Sequence, residues 1–144
     1  MVDRQIIHGT AVAINGAGVL IMGAPGNGKS DLALRLIDRG AALISDDAVA
    51  IEVDGSDHIL LSAAPNIEGR IEVRNLGIVN FQEAKPAALK LVVDLDRKPE
   101  RHPDGTSTCD IAGKPVSAIA INPFEGSAPI KVELALRQGS EHTG

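Results

Sequence analysis

A glycine-rich segment between two regular elements constrains the fold of this chain more than any other feature. Residues 23–30 fit the pattern G-x-x-x-x-G-K-[ST], follow an apolar stretch and precede a helical pattern. Glycines let backbone N–H groups converge on phosphate oxygens, and a helix N-terminus adds partial positive charge. A glycine-rich turn that opens a helix by chance is the alternative. The predicted phosphate-binding residues are Gly23, Ala24, Pro25, Gly26, Asn27, Gly28, Lys29 and Ser30.

The residues before this loop predict an antiparallel hairpin. Asn15-Gly16 separates two apolar runs, residues 5–14 and 17–22, and a type I′ turn needs positive φ at both central residues. A two-residue turn pairs Ile14 with Ala17. If the same register continues, His8 lies opposite Gly23, at the mouth of the loop.

The residues after the loop predict a helix and then a pair of carboxylates. Apolar residues recur at helical spacing over 31–39, and Gly40 marks the end of that helix. Asp46-Asp47 follows a short strand and supplies the acidic partner that a phosphate loop needs for its metal ion. Asp94, at the end of another apolar strand, is the alternative. Adjacent strand residues point to opposite faces, so Asp46 and Asp47 need not share a role.

The rest of the chain predicts a mixture of strands and loops. Glu72 and Arg74 share one face of an extended segment, and spacing alone makes them an ordinary solvent-facing pair. A locally basic stretch that includes Arg101 predicts an exposed loop. The predicted elements are a hairpin of 48–53 and 58–62, an extended segment over 67–79, a strand over 89–95, the loop over 96–108, strands over 116–121 and 130–136, and a polar, flexible tail over 138–144.

Composition narrows the class of protein. The 144 residues carry 14 Lys and Arg against 19 Asp and Glu, a net charge of −5 that argues against nucleic acid as a partner. The length suits one domain, predicted over residues 1–137. The single Cys109 cannot form an internal disulfide, which favours a cytoplasmic protein. Cys109 is expected to be a small buried side chain. No targeting signal or membrane-spanning run is visible.

Taken together, five sequence features resemble the catalytic domain of HPr kinase/phosphorylase. They are His8-Gly9, the Asn-Gly hairpin, the loop GAPGNGKS, Asp46-Asp47 and the segment Ile71-Glu72-Val73-Arg74-Asn75-Leu76-Gly77-Ile78-Val79-Asn80. That family phosphorylates a serine of the phosphocarrier protein HPr, and many members reverse the modification with inorganic phosphate. The resemblance implies an α/β, phosphoenolpyruvate-carboxykinase-like P-loop fold with a mixed sheet. It also implies a short form without the N-terminal domain of longer members.

The resemblance assigns roles to the candidate residues. It implies ATP and Mg²⁺ as cofactors, HPr as partner and a homo-oligomer, which is a hexamer in the family. Either Asp46 or Asp47 takes the proton from the incoming serine. The implied catalytic residues are His8, Lys29, Asp46, Asp47, Arg74 and Arg101, and the implied metal ligands are Ser30 and Glu72.

Two other functions are compatible with the same loop: a small-molecule kinase and a nucleotide-binding regulatory module without turnover. The intact acidic, His and Arg positions disfavour the second, because a sensor needs no base beside the γ-phosphate. The chain has no Trp or Tyr and two Phe. Aliphatic or backbone groups are therefore expected to hold the adenine, leaving most of the nucleotide affinity to the phosphates.

Overall fold

The computed structural model of the chain describes residues 4–82, 84–100 and 107–142. These residues form strands and helices in an order that places the phosphate loop between the third strand and the first helix. None of the described helices is long and apolar enough to cross a bilayer. The elements are β1 (Arg4–His8), β2 (Thr10–Ile14), β3 (Ala17–Met22), α1 (Lys29–Asp38), β4 (Ala42–Ser45), β5 (Ala48–Val53), β6 (Ile59–Ala63), β7 (Arg70–Val73), β8 (Gly77–Asn80), β9 (Ala87–Asp94), β10 (Thr108–Ile111), β11 (Lys114–Ala120) and α2 (Ala128–His142).

Most of the strands form one mixed, nine-stranded sheet. Its main path runs β1-β5-β6-β9-β3-β2-β4, with β11 beside β9 and β10 beside β11. The β3–β9 and β9–β11 pairs are parallel, whereas the other pairings in the sheet are antiparallel. The prediction of an α/β fold with a mixed sheet is confirmed.

Side chains on the two faces of the sheet enter separate apolar clusters. Along β3, Val19 and Ile21 pack with Leu32 and Leu36 of α1, while Leu20 packs in the cluster on the other face. All of these side chains are fully buried. The alternation follows the period of two in a strand, and it fixes the end of β3 against the helix that the phosphate loop begins.

The hairpin before the loop has the predicted turn and register. Asn15 and Gly16 take φ values of 50° and 83°, and Ile14 pairs with Ala17. The predicted pairing of His8 with Gly23 is wrong, because the chain changes partner strands at Gly9. His8 belongs to β1, which pairs with β5 and sets His8 opposite Ala48. A pattern with period two cannot reveal such a change of partner.

Helix α1 confirms the predicted helix and its end. It begins two residues before the predicted start, where the Leu32 N–H donates to Gly28 O at 2.9 Å. At the other end Gly40 has a φ of 112°, and its N–H donates to Ile37 O at 3.0 Å. Only glycine adopts this conformation readily, which explains why the helix stops there.

The extended segment predicted over residues 67–79 is instead a separate hairpin of β7 and β8. Its turn includes Asn75 and Gly77, with φ values of 74° and 101°, and is closed by Leu76 N–H donating to Val73 O at 3.0 Å. The adjacent Asn-Gly pair that marks the first hairpin is absent here, so the reversal was not predicted.

The strand predicted over residues 130–136 is wrong, because these residues belong to helix α2. Apolar residues at 130, 132, 134 and 136 alternate as in a strand. The fully buried positions are Ala128 and Val132, at helical spacing, whereas Ile130 and Leu134 are 42% and 46% exposed. The helix continues through residues 138–142, past the boundary predicted at residue 137, and β10 was also missed.

A substitution at Gly18 can test how closely β3 packs against β9. A Cβ atom at Gly18 would lie 2.8 Å from Ala88 O and 3.0 Å from Leu61 Cδ1. We expect Gly18→Ala to lower the free energy of unfolding by about 1–3 kcal/mol, because the strands must separate to admit the methyl group. Gly55→Ala is the control, since nothing lies within 4 Å of that Cβ position. Equal stability of the two variants in urea titrations would refute the close packing.

Candidate active site

The phosphate loop links β3 to α1 through backbone conformations that favour glycine. Gly26 and Gly28 have φ values of 85° and 92°, and the Asn27 N–H donates to Ala24 O at 3.1 Å. Helix α1 then begins at Lys29. Because the first N–H groups of a helix have no partners within it, they are available to an anion at this end.

The side chain of Lys29 lies across the loop. Its Nζ donates to Gly23 O at 2.7 Å and to Ala24 O at 3.3 Å. The ammonium group is therefore already positioned beside the loop residues that would surround a bound phosphate. Bound phosphate oxygens would compete for it with these two neutral carbonyl groups, and a charged acceptor forms the stronger hydrogen bond.

Asp96 braces the other side of the loop, a contact that the sequence did not predict. Its Oδ1 accepts a hydrogen bond from the Ala24 N–H at 3.1 Å and another from the Asn27 side-chain amide. The parallel pairing of β3 with β9 brings the two strand ends together, with Met22 opposite Asp94. A carboxylate two residues after a strand that neighbours β3 is the signal that could have indicated this brace.

Asp94, the alternative acidic candidate, has a local role in the turn after β9. Its Oδ1 accepts the N–H groups of Asp96 at 2.9 Å and Arg97 at 3.1 Å. These bonds shape the turn that carries Asp96 towards the loop. The Ser30 hydroxyl instead donates to Asp46, which belongs to the other acidic candidate, the Asp46-Asp47 pair.

Asp46 joins three separate parts of the chain. Its Oδ1 accepts hydrogen bonds from Ser30 Oγ at 2.6 Å and Thr10 Oγ1 at 2.9 Å, and its Oδ2 lies 3.5 Å from the Glu72 backbone nitrogen. The residue is only 7% exposed. Thr10 was not identified from the sequence, because its role depends on the pairing of β2 with β3, which sets Thr10 opposite Ile21. The carboxylate is held directly beside the last residue of the phosphate loop.

Asp47 and His8 lie next to this centre but are held differently. Asp47 is exposed and has a φ of 70°, and its carbonyl accepts the Gly9 N–H at 3.2 Å. Thr10 Oγ1 also lies 3.4 Å from the Asp47 backbone nitrogen. His8 is exposed and lies opposite Ala48, next to Asp47 in sequence. The structure thus brings His8 to the aspartate pair through β1–β5 pairing instead of the predicted β3 pairing.

The β7–β8 hairpin carries Glu72 and Arg74. The Glu72 backbone contacts Asp46, and its side chain is exposed. Arg74 is exposed directly after β7, at the start of the turn. Arg101, the predicted active-site arginine of the basic loop, lies outside the described residues.

The oxygen donors in this region fit Mg²⁺ bound together with a nucleotide. The Ser30 hydroxyl donates to the Asp46 carboxylate. The backbone nitrogen of Glu72 lies 3.5 Å from the same carboxylate, and the Glu72 side chain is exposed. The described residues contain no group of three or more His, Cys, Asp and Glu side chains that could hold a metal ion. Mg²⁺ typically uses one or two carboxylates and completes its shell with water and substrate phosphates, so a sparse protein ligand set suits it.

Comparison with known proteins identifies the family. The family model described as "HPr Serine kinase C-terminal domain" matches residues 1–122. The chain belongs to this family. Curated relatives of this chain include the HPr kinase/phosphorylases of Burkholderia lata and Burkholderia cenocepacia. Each is 35% identical to this chain, over a match that covers 95% of this chain and 46% of the relative. The chain therefore spans about half the length of these relatives.

A solved structure agrees with the assignment to the HPr serine kinase C-terminal domain. The Hpr(Ser) kinase/phosphatase from Coxiella burnetii has a TM-score of 0.81 and 27% sequence identity, covering 96% of this chain and 92% of that chain. The family resemblance noted from residues 8–80 is thus confirmed in both sequence and fold.

Cys109 partly matches the prediction of a small buried side chain. It is half-buried against the cluster that contains Leu20, although not fully buried. Burial raises the pKa of its thiol, and the nearby Asp94 carboxylate adds to the effect. A raised thiol pKa favours the protonated form at neutral pH, which argues against a nucleophilic role.

Proposed function

We propose that this domain is an ATP-dependent kinase that phosphorylates a serine of HPr and also removes that phosphate with inorganic phosphate. The observation that carries the proposal is the 2.6 Å contact between Ser30 and the buried Asp46. It couples a carboxylate to the phosphate loop at the place where a γ-phosphoryl group and its acceptor would meet. The names of the Burkholderia relatives support HPr as the acceptor.

In this proposal the loop binds and orients the donor. Backbone N–H groups of the loop and Lys29 hold the ATP phosphates, while Ser30 and Glu72 would hold Mg²⁺. The metal ion would neutralise charge on the phosphate oxygens. Phosphoryl transfer requires mainly alignment and charge stabilisation, and the brace from Asp96 helps to keep the loop in one conformation.

Asp46 is the proposed proton acceptor. Both short hydrogen bonds fall on Oδ1, so Oδ2, with one contact at 3.5 Å, has capacity for the serine hydroxyl. The serine oxygen attacks the γ-phosphorus, the bond to the ADP oxygen breaks, and the serine proton passes to Asp46. In the removal reaction, an oxygen of inorganic phosphate attacks the phosphorus of phosphoserine and passes its proton to Asp46. The bond from that phosphorus to the serine oxygen breaks, pyrophosphate forms, and Asp46 gives the proton to the serine oxygen.

The remaining predicted residues have supporting roles in the proposal. His8 lies near the aspartate pair and orients the proton-accepting carboxylate or balances its charge. The exposed Asp47 assists without accepting the proton. Arg101 neutralises developing charge on the transferred group, and Arg74 belongs to the catalytic segment, as the family resemblance implies. We further propose a cytoplasmic homo-oligomer that acts on a protein and not on nucleic acid, in keeping with the net charge of −5.

The function is tested by incubating the protein with ATP, Mg²⁺ and HPr, and locating phosphoserine by mass spectrometry. An HPr variant with alanine at the acceptor serine is the control. A second incubation of phospho-HPr with inorganic phosphate should release unmodified HPr and pyrophosphate. ATP binding without transfer to HPr would contradict the proposal and favour a regulatory module, whereas transfer to a small molecule alone would favour the alternative kinase.

A further inference from the structure

A turn between β11 and α2 places an aromatic ring against the phosphate loop. A Cβ atom built on Gly28 would lie 3.3 Å from Phe124 Cε1 and 3.3 Å from Pro123 Cγ. Gly28 directly precedes Lys29, so the ring lies at the edge of the segment that would hold phosphates. The absence of a side chain at Gly28 is what lets Phe124 approach this closely.

This turn is held in place by bonds at several points. Asn122 Oδ1 accepts the Phe124 N–H at 3.0 Å. The Arg35 guanidinium, on α1, donates to Pro123 O and, at 3.2 Å, to Glu125 O. The turn is therefore attached to the same helix that begins at the phosphate loop, and the position of Phe124 relative to that loop is fixed.

Despite this anchoring, the Phe124 side chain is exposed. Pro123 is buried, whereas Phe124 is 69% exposed. The other phenylalanine, Phe81, is partly buried and packs against the cluster that includes Leu36, so the core uses its ring. Phe124 is the aromatic side chain that a rigid turn presents to solvent beside the loop, and internal packing does not account for that arrangement.

We propose that Phe124 is a stacking surface for the nucleotide base. The inference rests on the proposed use of ATP. With the phosphates in the loop, the nucleoside must lie just outside it, and the Phe124 ring borders the loop at Gly28. Stacking on an aromatic ring tolerates different bases because every base has a π-face. The ring thus adds affinity for nucleotides over phosphate compounds that lack a base, beyond the aliphatic contacts expected from composition.

The test compares two ligands by isothermal titration calorimetry with Mg²⁺ present: ATP and inorganic tripolyphosphate, which has no base. We expect Phe124→Ala to weaken ATP binding about tenfold and to leave tripolyphosphate binding unchanged. Leu134→Ala, which removes a half-exposed apolar side chain on α2, should bind both ligands as the unaltered protein does. Equal weakening of both ligands would mean that Phe124 shapes the loop, and unchanged ATP binding would overturn the proposal.

A second variant provides a direct signal. The chain has no Trp, so Phe124→Trp introduces a single fluorophore at the proposed contact. We expect this variant to retain ATP affinity and its fluorescence to change with ATP but not with tripolyphosphate. The same change with both ligands would contradict stacking.

The outcomes separate this inference from the kinase proposal. If the unaltered protein binds ATP but does not phosphorylate HPr, the kinase proposal fails and the Phe124 comparison still decides the stacking role. If the unaltered protein does not bind ATP at all, both are overturned.

Discussion

Replacing Lys29 by alanine is expected to reduce phosphoryl transfer to HPr by about a thousandfold, because the ammonium group stabilises charge that develops on the transferred phosphate. Its Nζ contacts Gly23 O and Ala24 O, both within its own loop. The substitution should therefore leave the fold intact, with an unchanged circular dichroism spectrum. Initial rates of phospho-HPr formation give the measurement.

Lys90→Ala is the matched control for this substitution. Lys90 lies on β9 with an exposed side chain, away from the phosphate loop. Its removal should leave the rate unchanged. Activity of Lys29→Ala within tenfold of the unaltered protein would exclude this loop as the site of transfer.

The two neighbouring aspartates are expected to differ sharply when each is replaced by asparagine. Asp46→Asn should lower kcat about a thousandfold, because a neutral amide cannot accept the serine proton. The amide oxygen can still accept hydrogen bonds from Ser30 and Thr10, so the site keeps its shape. Asp47→Asn should cost about tenfold or less, since Asp47 is exposed and is held through its backbone.

Steady-state kinetics with HPr, at saturating ATP, measure this difference. Asp110→Asn, an exposed change on β10, is the control and should have no effect. Equal losses in the two aspartate variants would mean that neither acts as the proton acceptor. A larger loss in Asp47→Asn would assign the proton transfer to Asp47.

The parts of the structure that the sequence predicted correctly are those set by neighbouring residues. The Asn15-Gly16 turn, the glycine loop and the end of α1 at Gly40 each depend on backbone conformations within a few residues. Helix α2 was missed because its apolar residues fit two periods at once, and only burial against the sheet selects the helical one. Local patterns thus predicted the phosphate loop but not helix α2.

For the candidate site, the sequence yields a set of residues but not their arrangement. The position of Asp46 and Asp47 after the first helix was enough to place a carboxylate near the loop. Their different environments arise from the contacts of Asp46 with Ser30 and Thr10, which depend on strand pairing. The Asp96 brace likewise spans 72 residues to Ala24, a separation at which periodicity carries no information.

The central strand β9 has a consequence for the order in which the chain folds. It pairs with β3 from early in the sequence, with β6 from the middle and with β11 from near the end. During synthesis, the entire glycine motif leaves the ribosome well before β9, and non-local pairing must wait for both partners. We therefore expect the nascent N-terminal segment to lack a formed phosphate site until residue 96 has emerged and can bond to the loop.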